Sequence, residues 1–192
     1  MSSVLAPRRT ITVNGQFPGP SLKVKIGSTI RIRVRNNLLN EGLSIHWHGL
    51  HMIDNYWMDG DSFVSQCPIP GHSEFTYLVR ADNSGTHWWH SHSNAQRLDG
   101  LFGPLIIFEQ NEIEEKKTSI PLTVGDWFQE DSIMFAATYA WGPYAGPAPS
   151  TCYTPFRSYF GGLKLTSMCL DSFIVNGRGQ FRNQKGSRVF TV

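Results

Sequence analysis

All seven histidines lie between His46 and His92, and the last 100 of the 192 residues contain none. Two short patterns hold the residues that could do chemistry. One is His46-Trp47-His48-Gly49; the other is His90-Ser91-His92, preceded by Gly85-Thr86-His87-Trp88-Trp89. Residues i and i+2 of a β-strand point to the same side. His46 and His48 therefore project together with Trp47 opposite, and His90 and His92 do likewise. If the two strands are neighbours, four imidazoles converge. Neutral imidazole is a ligand for copper, zinc, iron and nickel. One His-x-His alone is most often a polar surface pair. Two of them, each flanked by tryptophan and glycine, predict a metal site at His46, His48, His90 and His92. His51, His72 and His87 match neither pair and are expected at the surface or supporting the ligands.

Four histidines without a thiolate exclude a zinc-finger type of site. Zinc with an open position and non-haem iron both stay open. Iron oxygenase sites usually include a carboxylate. Asp59 in Trp57-Met58-Asp59-Gly60 and Asp99 in Leu98-Asp99-Gly100 are the candidates, although neither shares a strand register with a histidine pair. Asp59 also reads as a plain Asp-Gly turn. Spacing alone does not choose the metal.

The elements that must position these residues read as strands. In Ser28-Thr29-Ile30-Arg31-Ile32-Arg33-Val34-Arg35 the apolar residues fall on one face and the arginines on the other, the pattern of a half-buried strand. The arginine face reads as solvated sheet surface. Glu74–Arg80 repeats the pattern with Phe75, Tyr77 and Val79. Shorter candidates are Arg9–Val13, Leu22–Ile26, Leu43–His48 and Pro104–Phe108. Asn14-Gly15, Pro18-Gly19-Pro20, Ile26-Gly27, Pro70-Gly71 and Asp82-Asn83-Ser84-Gly85 punctuate them. The expected class is all-β, a Greek-key sandwich or barrel.

With 40% hydrophobic residues the chain can pack a core. Its net charge of +2 gives no electrostatic reason to expect a nucleic-acid partner. Apolar runs such as Leu105-Ile106-Ile107-Phe108 fall far short of the ~20 residues of a membrane helix. Met1–Arg9 does not read as a signal peptide, and no Asn-x-Ser/Thr acceptor occurs. The charged patch Glu109–Thr118 reads as a boundary. The expected organisation is a first domain over 1–110, a linker over 111–118 and a second unit over 119–192. A fresh strand is expected near Ile120–Val124, and Tyr139–Phe160 reads as irregular. Ser187–Val192 reads as a strand that starts and stops, so the second unit is expected to be incomplete.

The motifs together resemble the first domain of multicopper oxidases of laccase type. The resemblance rests on His46-Trp47-His48-Gly49, Trp57-Met58-Asp59-Gly60, Gln66-Cys67-Pro68-Ile69 and Gly85-Thr86-x-Trp88-x-His90-Ser91-His92. Gln96-x-x-Asp99-Gly100-Leu101-x-Gly103 and Thr12-Val13-Asn14-Gly15-Gln16-x-Pro18-Gly19-Pro20 extend it. The variant Gly-Thr-His-Trp-Trp-His-Ser-His looks closest to the animal type. The resemblance covers roughly residues 9–110 as one cupredoxin domain. It continues weakly through Gly125-Asp126-Trp127 and Val175-Asn176-Gly177-Arg178-Gly179, the opening of a second.

The resemblance implies roles. His46 would bind a type 2 copper, and His48, His90 and His92 a type 3 copper pair. Together they would supply half of a trinuclear cluster that reduces dioxygen to water with electrons from a phenolic donor. Asp59 would be the carboxylate that tunes proton delivery. Members of the family take electrons in at a type 1 copper held by a His-Cys-His segment. Cys67, Cys152 and Cys169 have no histidine beside them. The chain is therefore expected to be the N-terminal portion of a longer oxidase, inactive alone, whose absent last domain would be its partner. Cys67 resembles the cysteine that bridges to that domain. Cys152 and Cys169 either pair locally, closing a ring worth ~3 kcal/mol, or stay free. Secretion is suggested by the family alone. The other readings are a non-catalytic copper-binding module and a mononuclear zinc or iron enzyme.

Overall fold

The computed structural model describes residues 9–109, 111–112, 120–127, 159–160, 163–164 and 172–179. Among the described residues, the compact unit Thr10–Leu122 holds six strands. They are β1 (Leu22–Lys25), β2 (Thr29–Arg35), β3 (Ile45–His48), β4 (Glu74–Arg80), β5 (Gly85–Ser91) and β6 (Phe102–Phe108). The one helical element among the described residues is a 3-10 turn at Tyr56–Met58. One sheet has the order β1-β6-β5-β3, with β1 parallel to β6 and the other pairs antiparallel. The second sheet is the antiparallel pair β2-β4, in register from Thr29↔Arg80 to Arg35↔Glu74.

The period-2 reading of β2 and β4 explains how the layers meet. Ile30, Ile32 and Val34 turn inward while Arg31, Arg33 and Arg35 stay exposed. Tyr77 and Val79 of β4 are fully buried against Ile45 and Trp47 of β3, Trp89 of β5 and Leu105 and Ile107 of β6. Each such side chain contributes roughly 1.5–3 kcal/mol by leaving water. The central strand β6 is buried on both faces, which its unbroken apolar run anticipates.

Local turn chemistry moves some boundaries. Arg9–Val13 does not form the expected strand. Asn14 and Gly15 both take positive φ and close a two-residue turn, so Val13 bridges Gln16 instead of pairing with a neighbouring strand. In Leu43–His48 only Ile45–His48 is strand, while Leu43 pairs in isolation with Ile69.

The second compact unit includes Thr123–Val192. Its described strands are β7 (Val124–Trp127), β8 (Tyr159–Phe160), β9 (Leu163–Lys164), β10 (Ser172–Val175) and β11 (Arg178–Gly179). The order β11-β10-β7 is antiparallel throughout, and β8 pairs with β9. The strand expected near Ile120–Val124 begins only at Val124, and Tyr159–Phe160 is a short strand and not irregular. The first compact unit runs to Leu122. Residues 113–119, most of the segment 139–160, Cys152, Cys169 and Ser187–Val192 lie outside the described residues.

Candidate metal centre

Strands β3 and β5 run side by side with His46 directly opposite His90 and Trp47 opposite Trp89. The tryptophans fix which face is which. Trp47 is 1% exposed and Trp89 5%, both within the core. Trp47 meets Tyr77 edge to face at 5.4 Å. Ile45 N–H donates to the Tyr77 hydroxyl at 2.9 Å, and burial pushes that phenol up to about 12. The histidines must then take the other face. His92 N–H donates to Ser44 O at 3.0 Å, carrying the pairing one step beyond the strand. His92 thus joins the face of His46 and His90. Ring centroids lie 5.3 Å apart for His46–His90 and for His46–His92, 5.5 Å for His46–His48, 5.7 Å for His48–His90 and 5.9 Å for His90–His92.

Hydrogen bonds assign the ring nitrogens. His46 Nδ1 lies 2.9 Å from Asp59 O and 3.1 Å from Asp59 Oδ1. His90 Nδ1 lies 2.9 Å from Ser91 O, and His92 Nδ1 lies 2.9 Å from Asp61 Oδ1. A nitrogen facing an oxygen acceptor carries the proton, so these three rings keep an Nε2 lone pair for a metal. His48 Nδ1 sits 3.5 Å from His90 Nε2. Two ligands on one tetrahedral ion at ~2.1 Å would be about 3.4 Å apart. His46, His48 and His90 each offer a nitrogen within 4.8 Å of the other two. His92 and the carboxylates of Asp59 and Asp99 are not part of that trio. Asp99 is buried, and its carbonyl accepts from Ile11 N–H. His51 and His72 are exposed, and His87 bonds Asn83 O at 2.9 Å.

Two of the imidazoles, His90 and His48, are biased towards the neutral form. Burial pushes His90 down to about 4, helped by His46, Arg97 and His48 and opposed by the bond to Ser91 O. Burial, then the charges of His46 and Arg97, lowers His48. His90 is 2% exposed and stays a free base over most of the acidic range. This has a stability consequence. Between about 4 and the ordinary value of 6.5 the unfolded chain binds the proton that His90 refuses. Stability of the metal-free protein should therefore fall as pH drops through that window, by at most about 3 kcal/mol from this group. Urea unfolding across the window checks it: His90→Gln should flatten the slope, and an unchanged slope would contradict the assignment.

Two features were not foreseen from the sequence. Trp88 lies on the histidine face, 5.2 Å from the His48 ring and 4.2 Å from His90, with the Arg97 guanidinium 5.7 Å from its centroid. Its parity with His90 was signal enough to find it. Asp61 is the other. The loop after the 3-10 turn lies across the strands, with Asp59 at His46, Gly60 at Ile45, and Asp61 at His92. Ser62 Oγ shares hydrogen bonds with Ser44 Oγ at 2.7 Å and Ser93 Oγ at 2.5 Å.

The family model described as "Multicopper oxidase" matches residues 2–112, more than half of the chain. The chain belongs to the multicopper oxidase family. It is 42% identical over 134 residues to the dihydrogeodin oxidase of Aspergillus terreus, covering 69% of this chain and 22% of that protein. It is 40% identical over 174 residues to Laccase-1 of Cryptococcus neoformans var. grubii, covering 90% of this chain and 26% of the relative. Among solved structures, the laccase of Botrytis aclada aligns at a TM-score of 0.65 and 28% identity, over 93% of this chain and 29% of that one. The chain thus spans about a quarter of the length of the curated relatives it matches. These relatives are fungal, and they lend no support to the animal type read from the Gly-Thr-His-Trp-Trp-His-Ser-His variant. The fold is all-β and cupredoxin-like, as expected. For a multicopper oxidase the donor set fits its metal, since neutral imidazoles suit copper and three of the four Nδ1 atoms are already engaged.

Proposed function

We propose that this chain is the N-terminal part of a laccase-like multicopper oxidase and contributes half of the ligands of a trinuclear copper cluster. In this reading residues 1–110 form the first cupredoxin domain, 111–118 the linker, and 119–192 part of a second. His46 serves a type 2 copper, and His48, His90 and His92 a type 3 pair. The observation that carries the reading is the register of β3 and β5, which sets His46 opposite His90 and brings both pairs to one face. Copper bound there would supply one-electron redox chemistry and a place for dioxygen. The chain's own residues do the rest. The Asp59 carbonyl and carboxylate hold the Nδ1 proton of His46 and so aim its Nε2. The Asp59 carboxylate, half-exposed beside the cluster, is the group placed to exchange protons there. Trp88 and the strand ladder keep the His48 and His90 rings from rotating. Phenolic donors, dioxygen, the further cupredoxin domain and a secreted location belong to this proposal. Among the described residues no helix is long and apolar enough to cross a membrane.

No histidine follows His92, and none flanks a cysteine, so the chain brings no His-Cys-His segment for electron entry. Oxygen uptake by the copper-loaded chain with a phenolic donor is expected to match a copper-only control. Turnover well above that control would overturn the half-site reading. Calorimetric titration with copper separates the rival, a non-catalytic binding module, which the nitrogen trio within 4.8 Å favours. Weak binding supports the half-site, while one tight site supports the module.

A further inference from the structure

His92 is the first residue beyond β5, and its side chain is 45% exposed. Its ring contacts are with His46 and His90, which are themselves groups of the site. Packing alone leaves this imidazole freer than those of His46 and His90. Its fixed partner is Asp61, whose Oδ1 lies 2.9 Å from His92 Nδ1. The backbone of Asp61 is held firmly. Its N–H donates to Ser65 Oγ at 2.9 Å, and its carbonyl accepts from the N–H groups of Val64, Ser65 and Gln66 at 3.2, 3.0 and 3.3 Å. The next residue, Ser62, is bonded to Ser93, the residue after His92. Asp61 and Ser62 therefore meet His92 and Ser93 as two adjacent pairs, a registered contact between two segments that form no ladder.

Resting on the proposed copper site, we propose that Asp61 is the positioning residue for His92. Its carboxylate accepts the Nδ1 proton, fixes the tautomer and orients the Nε2 lone pair towards the face shared with His46 and His90. A charged acceptor also makes the imidazole a stronger donor to metal. Asp59 holds Nδ1 of His46 in the first pair and Asp61 that of His92 in the second, from positions two residues apart on one loop.

The test reads the histidine directly and needs no turnover. In the metal-free protein labelled with 15N-histidine, NMR should show His92 protonated at Nδ1. Asp61→Ala should shift it to the Nε2-protonated form, and Asp61→Asn, which retains an acceptor oxygen, should restore the parent tautomer. Copper binding by calorimetry should weaken by about 10–100-fold in Asp61→Ala. In a His92→Ala background the same substitution should cost nothing further. An unchanged His92 tautomer in Asp61→Ala, or an equal loss of copper affinity with and without His92, overturns the proposal. If the parent binds copper at one tight site, the half-site reading fails, while the tautomer measurement still decides the role of Asp61.

Discussion

Replacing His90 with alanine is expected to lower copper affinity by more than about 100-fold, the upper limit for losing a group that merely supports a ligand. His90 is the centre of the arrangement. Its ring is within 5.9 Å of the other three histidine rings, and its Nε2 is 3.5 Å from His48 Nδ1. Removing it leaves only His46 and His48 of the nitrogen trio. The folded state survives, because Trp47, Trp89 and Tyr77 hold the β3–β5 pair from the opposite face. His51→Ala is the control: His51 is exposed near Asp82, outside the nitrogen trio. Copper titration by calorimetry, with circular dichroism to verify folding, checks the prediction. A folded His90→Ala protein that binds copper like the parent would remove His90 from the site.

How much of this centre was readable in advance follows from how far each cue reaches along the chain. The side on which His46 and His48 project depends only on strand alternation, and Trp47 at 1% exposure bears that out. The alternating stretches that became β2 and β4 were equally local, and both appear with the expected inward residues. Pairing of β3 with β5 joins residues 44 positions apart, His46 and His90, and no local pattern encodes that register. Asp59 reads from the sequence as a turn residue or as a carboxylate beside the metal, and its backbone and side chain make separate contacts. Its N–H closes the 3-10 turn on Tyr56 O while its side chain reaches His46. Asp61 carried no cue, because its reach to His92 depends on the backbone direction set one residue earlier. Arg9–Val13 shows the opposite error, where a genuine apolar alternation was overruled by the Asn14-Gly15 turn beside it.

That one residue, Gly60, carries the second large effect. Gly60 has φ +79°, and a Cβ there would collide with the carbonyl oxygen of Ile45 and come within 2.9 Å of His46 N. Two costs are separable. The left-handed backbone costs a non-glycine residue about 1 kcal/mol, and forcing an extra carbon into a packed contact costs about 1–3 kcal/mol more. Gly60→Ala should therefore lose about 2–4 kcal/mol in urea unfolding. Gly15→Ala isolates the first cost, since Gly15 has φ +73° and open space around its Cβ position, and about 1 kcal/mol is expected there. The collision also has a direction. Strand β3 is anchored by Ile45 and Trp47 in the core, whereas the loop is held by polar contacts, so the loop is the side that yields. As it lifts, Asp59 leaves His46 and Asp61 leaves His92 together. Copper affinity should accordingly fall further in Gly60→Ala than in either Asp59→Ala or Asp61→Ala. If Gly60→Ala costs no more stability than Gly15→Ala, the close approach of loop and strand is refuted. If it unfolds more readily yet binds copper as the parent does, the loop does not orient the histidines.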